Sequence, residues 1–171
     1  MLNREDYRVV HKHIEEIIPK LQRKAEGYAL FPWVAGAYGP PYGNSECFWD
    51  AFHECLRFTY GGQSEWMKYL LDNHLHYQNP DNGWMPGHVL PAYVNYSYQW
   101  MCQPFVIQGA AVYARITKDL KWLEKVYPAL RNYLKFWCAE RQVKDNLFCW
   151  WGENGFDNDV STAFFQPRTV A

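Results

Sequence analysis

A chain of 171 residues has room for one buried core, and 17 basic against 18 acidic side chains give it no charge to carry it onto nucleic acid or a polybasic membrane contact. At 49% hydrophobic and 20% charged residues it is not a disordered chain, and a mean hydropathy of −0.46, with no apolar run near about 18 residues, excludes an obvious membrane-spanning helix. Its outlying number is 19% aromatic residues, among them 9 Trp and 13 Tyr.

The first ten residues carry Arg4, Glu5, Asp6 and Arg8, too charged for the core of a signal peptide, so a cytoplasmic location is expected. Tyr7, Val10, Ile14, Ile17, Ile18, Leu21 and Ala25 recur at helical spacing and predict a first helix ending at Gly27. Phe48, Phe52 and Cys55 predict a second, with Ser45 as its N-cap. Trp66, Leu70, Asn73 and Tyr77, flanked by Met67, Leu71 and Leu75, predict a third. Phe105, Gly109, Val112, Tyr113 and Ile116 predict a fourth. Leu120, Leu123, Tyr127, Leu130, Leu134 and Trp137 keep the spacing through Pro128, as one kinked helix or two abutting ones. Alternating strand patterns are scarce.

Short links at Gly61-Gly62 and Thr117-Lys118 make the helices pairs, and the pairs resemble each other. Glu-Trp-Met-Lys-Tyr-Leu opens one second helix and Lys-Trp-Leu-Glu-Lys-Val the other, with Trp66 and Trp122 56 residues apart. Between the pairs lie long aromatic loops rich in Pro and Gly, 28–46, 78–102 and 146–171. Residues 27–114 hold 2 basic and 6 acidic side chains, a composition suited to a large core or a cavity wall.

The five cysteines are odd in number and form no CxxC, so reduced, buried thiols are expected rather than a disulfide framework or a zinc ribbon. His11/His13 and His74/His76 are each two apart, which puts partners on different helix faces and disfavours shared metal ligation. No metal or organic cofactor is expected.

Three segments can carry chemistry. Asp50 in Phe48-Trp49-Asp50 either meets the dipole of the second helix or, beside the Trp49 indole, accepts hydrogen bonds from vicinal sugar hydroxyls. Gln78–Pro86 contains the turn signature Pro-Asp-Asn-Gly, which makes Asp81 structural and leaves Trp84 as a loop aromatic that a ligand could meet. Trp150–Asp159 offers Glu153, Asp157 and Asp159 among Gly and Trp, either an acidic turn or a site for a general acid. Burial beside aromatic rings would hold such a carboxyl protonated near neutrality, ready to protonate a departing glycosidic oxygen.

In this order the segments resemble the six-hairpin toroid glycoside hydrolases, nearest to family 63 and its mannosylglycerate-hydrolase-like relatives and more distantly to family 37 trehalases. Phe48–Phe52 looks like that group's aromatic-Trp-Asp-Ser-aromatic segment, and QNPDNGWMP like its Gln-Asn-Pro-Asp-Gly-aromatic-Ile-Pro loop. Gln103-Pro104-Phe105 is similar to its Gln-Pro-Pro helix start, Asp119–Trp137 to its Tyr-Pro-containing helix, and Glu153–Asn158 to its Glu-Ser/Asn-Gly-hydrophobic-Asp-Asn loop. The trehalase Pro-Gly-Gly-Arg-Phe segment is absent, and Asp159-Val160-Ser161 stands where the family has Ser-Pro-Arg.

The resemblance implies an all-α chain of antiparallel helical hairpins, residues 1–171 forming about half of an (α/α)6 toroid. A 56-residue unit fits, since six would need about 336 residues and this chain holds about three. It implies hydrolysis of an α-glycosidic bond, glucosidase-like and with inversion, on an oligosaccharide or small glycoside. Asp157 would be the general acid, with Trp49, Asp50, Trp84, Gln103, Glu153 and Asn158 as sugar contacts. Inversion needs a second carboxylate as base, about 6.5–9.5 Å from the acid. In the family that Glu lies beyond the equivalent of Ala171, and nothing in this chain inherits its role. The chain alone is therefore expected to be inactive, with exposed apolar surface that meets a missing C-terminal segment or a second copy. The rival expectations are a non-catalytic carbohydrate-binding helical domain, and an epimerase or lyase using His53, His74, His76 or His88.

Overall fold

The computed structural model describes residues 4–36, 44–96, 102, 104–140, 142–144 and 147–148. These are mostly helical. Five helices appear among them, α1 (Arg4–Leu21), α2 (Phe48–Tyr60), α3 (Glu65–His76), α4 (Phe105–Thr117) and α5 (Leu120–Glu140). Short strands form three antiparallel ribbons, β1 (Gln22–Arg23) with β2 (Trp33–Val34), β3 (Glu46–Cys47) with β4 (His88–Val89), and β5 (Gln142–Lys144) with β6 (Leu147–Phe148).

The first helix stops at Leu21, short of the expected Gly27. The chain there turns into the β1–β2 ribbon, and the Leu21 carbonyl accepts a bond from the Ala35 N–H at 2.9 Å instead of continuing the helix. Gly27 sits at φ 55° in the turn between Glu26 and Ala29, against the Pro91 carbonyl. Ser45 does not cap α2. The β3–β4 pairing keeps Glu46 and Cys47 extended, so Cys47 occupies the N-cap without its side chain capping the helix, and the Phe48 N–H is satisfied by the Gly87 carbonyl at 2.9 Å.

α2 and α3 pair across the Gly61–Ser64 turn, α4 and α5 across Lys118 and Asp119, and α4 packs on both α2 and α3. Gly109 makes that approach possible, since a Cβ there would stand 3.0 Å from the Met67 Sδ and 3.3 Å from the Phe52 ring. Each pair places a Trp early in its second helix against an aromatic ring of its first, Trp66 on Phe58 at 5.8 Å and Trp122 on Tyr113 at 4.8 Å. The Trp122 indole N–H also bonds Asp72 at 2.8 Å and ties the two pairs together.

α5 runs unbroken through Pro128. Its buried face is Trp122, Val126, Leu130, Tyr133, Phe136 and Trp137. Of the apolar positions read from the sequence, Leu130 and Trp137 are buried, whereas Leu120, Tyr127 and Leu134 are 65%, 58% and 50% exposed. In α4 the buried face likewise includes Val106, Ala110 and Ala114, while Ile116 is exposed. Cys47, Cys55, Cys102 and Cys138 stand outside any disulfide, the first three buried. No helix among the described residues is long and apolar enough to cross a membrane.

Candidate functional site

The extended start of α2 puts Trp49 and Asp50 in its first turn, where the orphan N–H groups and the helix dipole favour a carboxylate. Asp50 is half-buried. Burial pushes its carboxyl above the ordinary range, while a bond from Cys47 and the neighbouring His53 pull the other way. Gly36 passes against it: a Cβ at Gly36 would lie 3.1 Å from Oδ2 of Asp50. The Gly36 N–H bonds the Ser45 carbonyl at 3.0 Å, which holds that segment across the corner.

Trp49 is also half-buried. Its ring lies 5.4 Å edge-on from His53 and 5.1 Å from Phe105 at the start of α4. Phe52 stacks on Phe105 at 5.1 Å beneath them. A half-buried carboxyl and a half-buried indole backed by Phe105 therefore occupy successive positions in the first turn of α2, where it meets α4.

Trp84 is placed differently. It is 5% exposed, belongs to the main core, and its indole nitrogen has no hydrogen-bond partner among the described residues. With Tyr96, 6.1 Å away, and residues 76–82 it borders a hollow of about 570 Å³. The loop before it is closed on itself. The Asn79 side chain accepts the Asp81 N–H at 2.9 Å, and Asn79 and Trp84 pair through the Asn79 N–H and Trp84 carbonyl at 2.8 Å. Gln78 donates to the Ala129 carbonyl at 2.9 Å and Asn132 to the Pro80 carbonyl at 3.0 Å, which straps the loop to α5. Among the described residues no ring pair joins Trp84 to Trp49, whose ring partners are His53 and Phe105. Gln103, Glu153, Asp157 and Asn158 lie outside the described residues.

Beneath Trp49 and Asp50 is a buried polar group that motif reasoning missed. Glu46 and His74 are both 0% exposed, with Glu46 Oε2 3.8 Å from His74 Nε2. Asn73 donates to the same carboxyl oxygen at 3.0 Å and also brackets Phe31, accepting its N–H at 2.9 Å and donating to its carbonyl at 3.3 Å. His74 Nδ1 lies 2.9 Å from the Pro86 carbonyl. Burial pushes Glu46 well up, offset in part by Asn73 and the Val34 backbone, and pushes His74 down to about 4. A Glu inside Ser45–Trp49, an otherwise uncharged run leading from a loop into α2, is the one sequence signal for it.

His53 and His76 are exposed, and His88 is partly buried. Among the described residues no three His, Cys, Asp or Glu side chains gather as a metal site. The chain matches no protein-family model, no curated protein and no solved structure.

Proposed function

We propose that this chain is the sugar-binding portion of an inverting, α-glucosidase-like glycoside hydrolase on an (α/α)6 toroid. The observation that carries the reading is the Trp49–Asp50 corner, an indole shelf backed by Phe105 beside a half-buried carboxyl. An indole face packs on the C–H side of a pyranose, and a carboxylate accepts two vicinal hydroxyls. The equivalent seats of Trp66 and Trp122 in successive hairpins support a repeating architecture. Leu120, Tyr127 and Leu134, seven residues apart on one side of α5 and exposed, supply apolar surface for a further hairpin or a second copy.

In this reading Asp157 protonates the departing glycosidic oxygen, and Gln103, Glu153 and Asn158 complete the sugar contacts, while Trp84, buried in the core, supports the fold. A carboxylate from outside this chain activates water on the opposite face of the ring. The chain by itself binds sugar without turning it over.

Calorimetric titration with methyl α-glucoside and maltose tests this. Saturable heat is expected, lost in Trp49→Ala and Asp50→Ala while their far-ultraviolet circular dichroism stays that of the parent. No heat from either sugar at tens of millimolar refutes it, and an epimerised sugar, or an unsaturated uronide released from a polyuronate offered separately, assigns the chain to the rival enzyme classes.

A further inference from the structure

We propose that Glu46 and His74 form a neutral latch, a carboxylic acid beside an uncharged imidazole, that positions Trp49 and Asp50 and gives way when Glu46 ionises. The geometry fixes the tautomer first. The Pro86 carbonyl is an acceptor only, so the His74 Nδ1 at 2.9 Å carries a hydrogen and donates it. The lone pair of the uncharged ring is then on Nε2, which faces Glu46 Oε2 at 3.8 Å and has no hydrogen bond. Anionic Glu46 would set a charge against that lone pair at a fully buried position.

An ion pair is the other charge state, and it needs hydrogen bonds on every remaining lone pair to offset the cost of desolvation. Here only Asn73 and the Val34 backbone support the carboxyl, and its Oε1 makes no close hydrogen bond. The two pKa directions agree with the neutral pair, each moved by burial toward the uncharged form. The other ionisable groups packed around it add no cation. They are Cys55, which senses Glu46 and Glu54 and is itself pushed up, His88, which lowers His74, and Cys102, 3.7 Å from His74 Nδ1, whose carbonyl accepts the Tyr133 hydroxyl.

The latch bears on the site through short covalent and packed links. Glu46 and Cys47 are β3, and Cys47 bonds Asp50. The His74 ring meets Phe48 edge-on at 4.9 Å, next in the chain to Trp49. His74 also holds Pro86, whose neighbour Gly87 accepts the first N–H of α2. This rests on packing alone and stands whether or not Trp49 and Asp50 bind sugar.

The test is urea unfolding of the chain and of Glu46→Gln, the isostere of the neutral acid, from pH 5 to pH 9. The ratio of folding constants, parent over variant, should fall about tenfold per pH unit above the ordinary Glu value of 4.5 until Glu46 ionises in the folded chain. A ratio that rises with pH, or does not change, overturns the proposal. Should Glu46→Gln not fold, the ¹⁵N spectrum of the His rings in the parent decides, with His74 assigned by its loss in His74→Asn. A neutral Nδ1–H ring at pH 6 sustains the latch, and an imidazolium overturns it.

Discussion

Gly83→Ala is expected to cost about 3 kcal/mol, and Gly62→Ala about 1 kcal/mol, though both glycines sit at nearly the same backbone angle, φ 84° and φ 87°. The shared part is the strain of an L side chain at positive φ, about 1–2 kcal/mol, partly offset by the smaller freedom of Ala in the unfolded chain. Nothing lies within 4 Å of a Cβ at Gly62, so strain is all that site pays. At Gly83 the added carbon falls on the Asn132 carbonyl oxygen and stands 2.7 Å from its carbon and 3.1 Å from the Tyr133 nitrogen. Those atoms belong to the backbone in the middle of α5 and cannot rotate away. The loop must lift instead, which strains the Gln78 bond to Ala129 and the Asn132 bond to Pro80, worth about 1 kcal/mol each.

Urea melts followed by Trp fluorescence read the difference. With a slope of about 2 kcal/mol per M, Gly83→Ala shifts the midpoint by about 1.5 M and Gly62→Ala by about 0.5 M. Equal shifts would refute the docking of the 78–84 loop on α5.

His74 makes stability depend on acid. Its folded value is lowered from 6.5 to about 4, so the stabilisation is present above 6.5 and is lost as pH falls through about 4, about 3 kcal/mol in all. In the parent chain Glu46 hides much of this. Its raised folded value makes stability fall with rising pH above 4.5, so between 4.5 and 6.5 the two slopes oppose. Glu46→Gln should therefore gain stability from pH 4 to 6.5 where the parent changes less, and parallel profiles in urea melts refute the pairing. For α5, Leu134→Lys should change stability by no more than about 0.5 kcal/mol, while Leu130→Ala should cost about 2–5 kcal/mol by the same melts. The reverse order would mean that the helix is turned the other way.

The helices were legible because each repeats apolar residues at helical spacing, but their phase was not always so. α5 carries two overlapping apolar rows. One runs through Leu120, Tyr127 and Leu134, the other through Trp122, Val126 and Tyr133, and both draw on Leu130 and Trp137. Leu and Tyr look more apolar than a row opening on Lys121-Trp122, yet the Trp row packs because its indole reaches Asp72 on the neighbouring hairpin. Spacing shows that a helix has apolar sides. Which side is covered depends on partners that are distant in sequence.

The ends of elements failed for a related reason. Ser45 has the chemistry of an N-cap and Gly27 that of a helix stop, but two-residue ribbons overrode both. Such ribbons are too short to leave an alternating pattern, and their bonds come from Ala35, Gly87 and His88. The same long-range pairing decides the candidate site. Trp49-Asp50 could be read as a motif because both chemical groups are adjacent in the chain. Glu46, Asn73, His74 and Pro86 could not, since no spacing connects them and only the folding of α3 back on β3 brings them together. What the motif needs in order to work is that hidden layer. A carboxyl at a helix start is common, whereas one held against Gly36 by a strand pinned on a buried acid has a fixed direction. If Trp49 and Asp50 bind sugar, the precision of that contact is set by Glu46 and His74, which never touch the ligand.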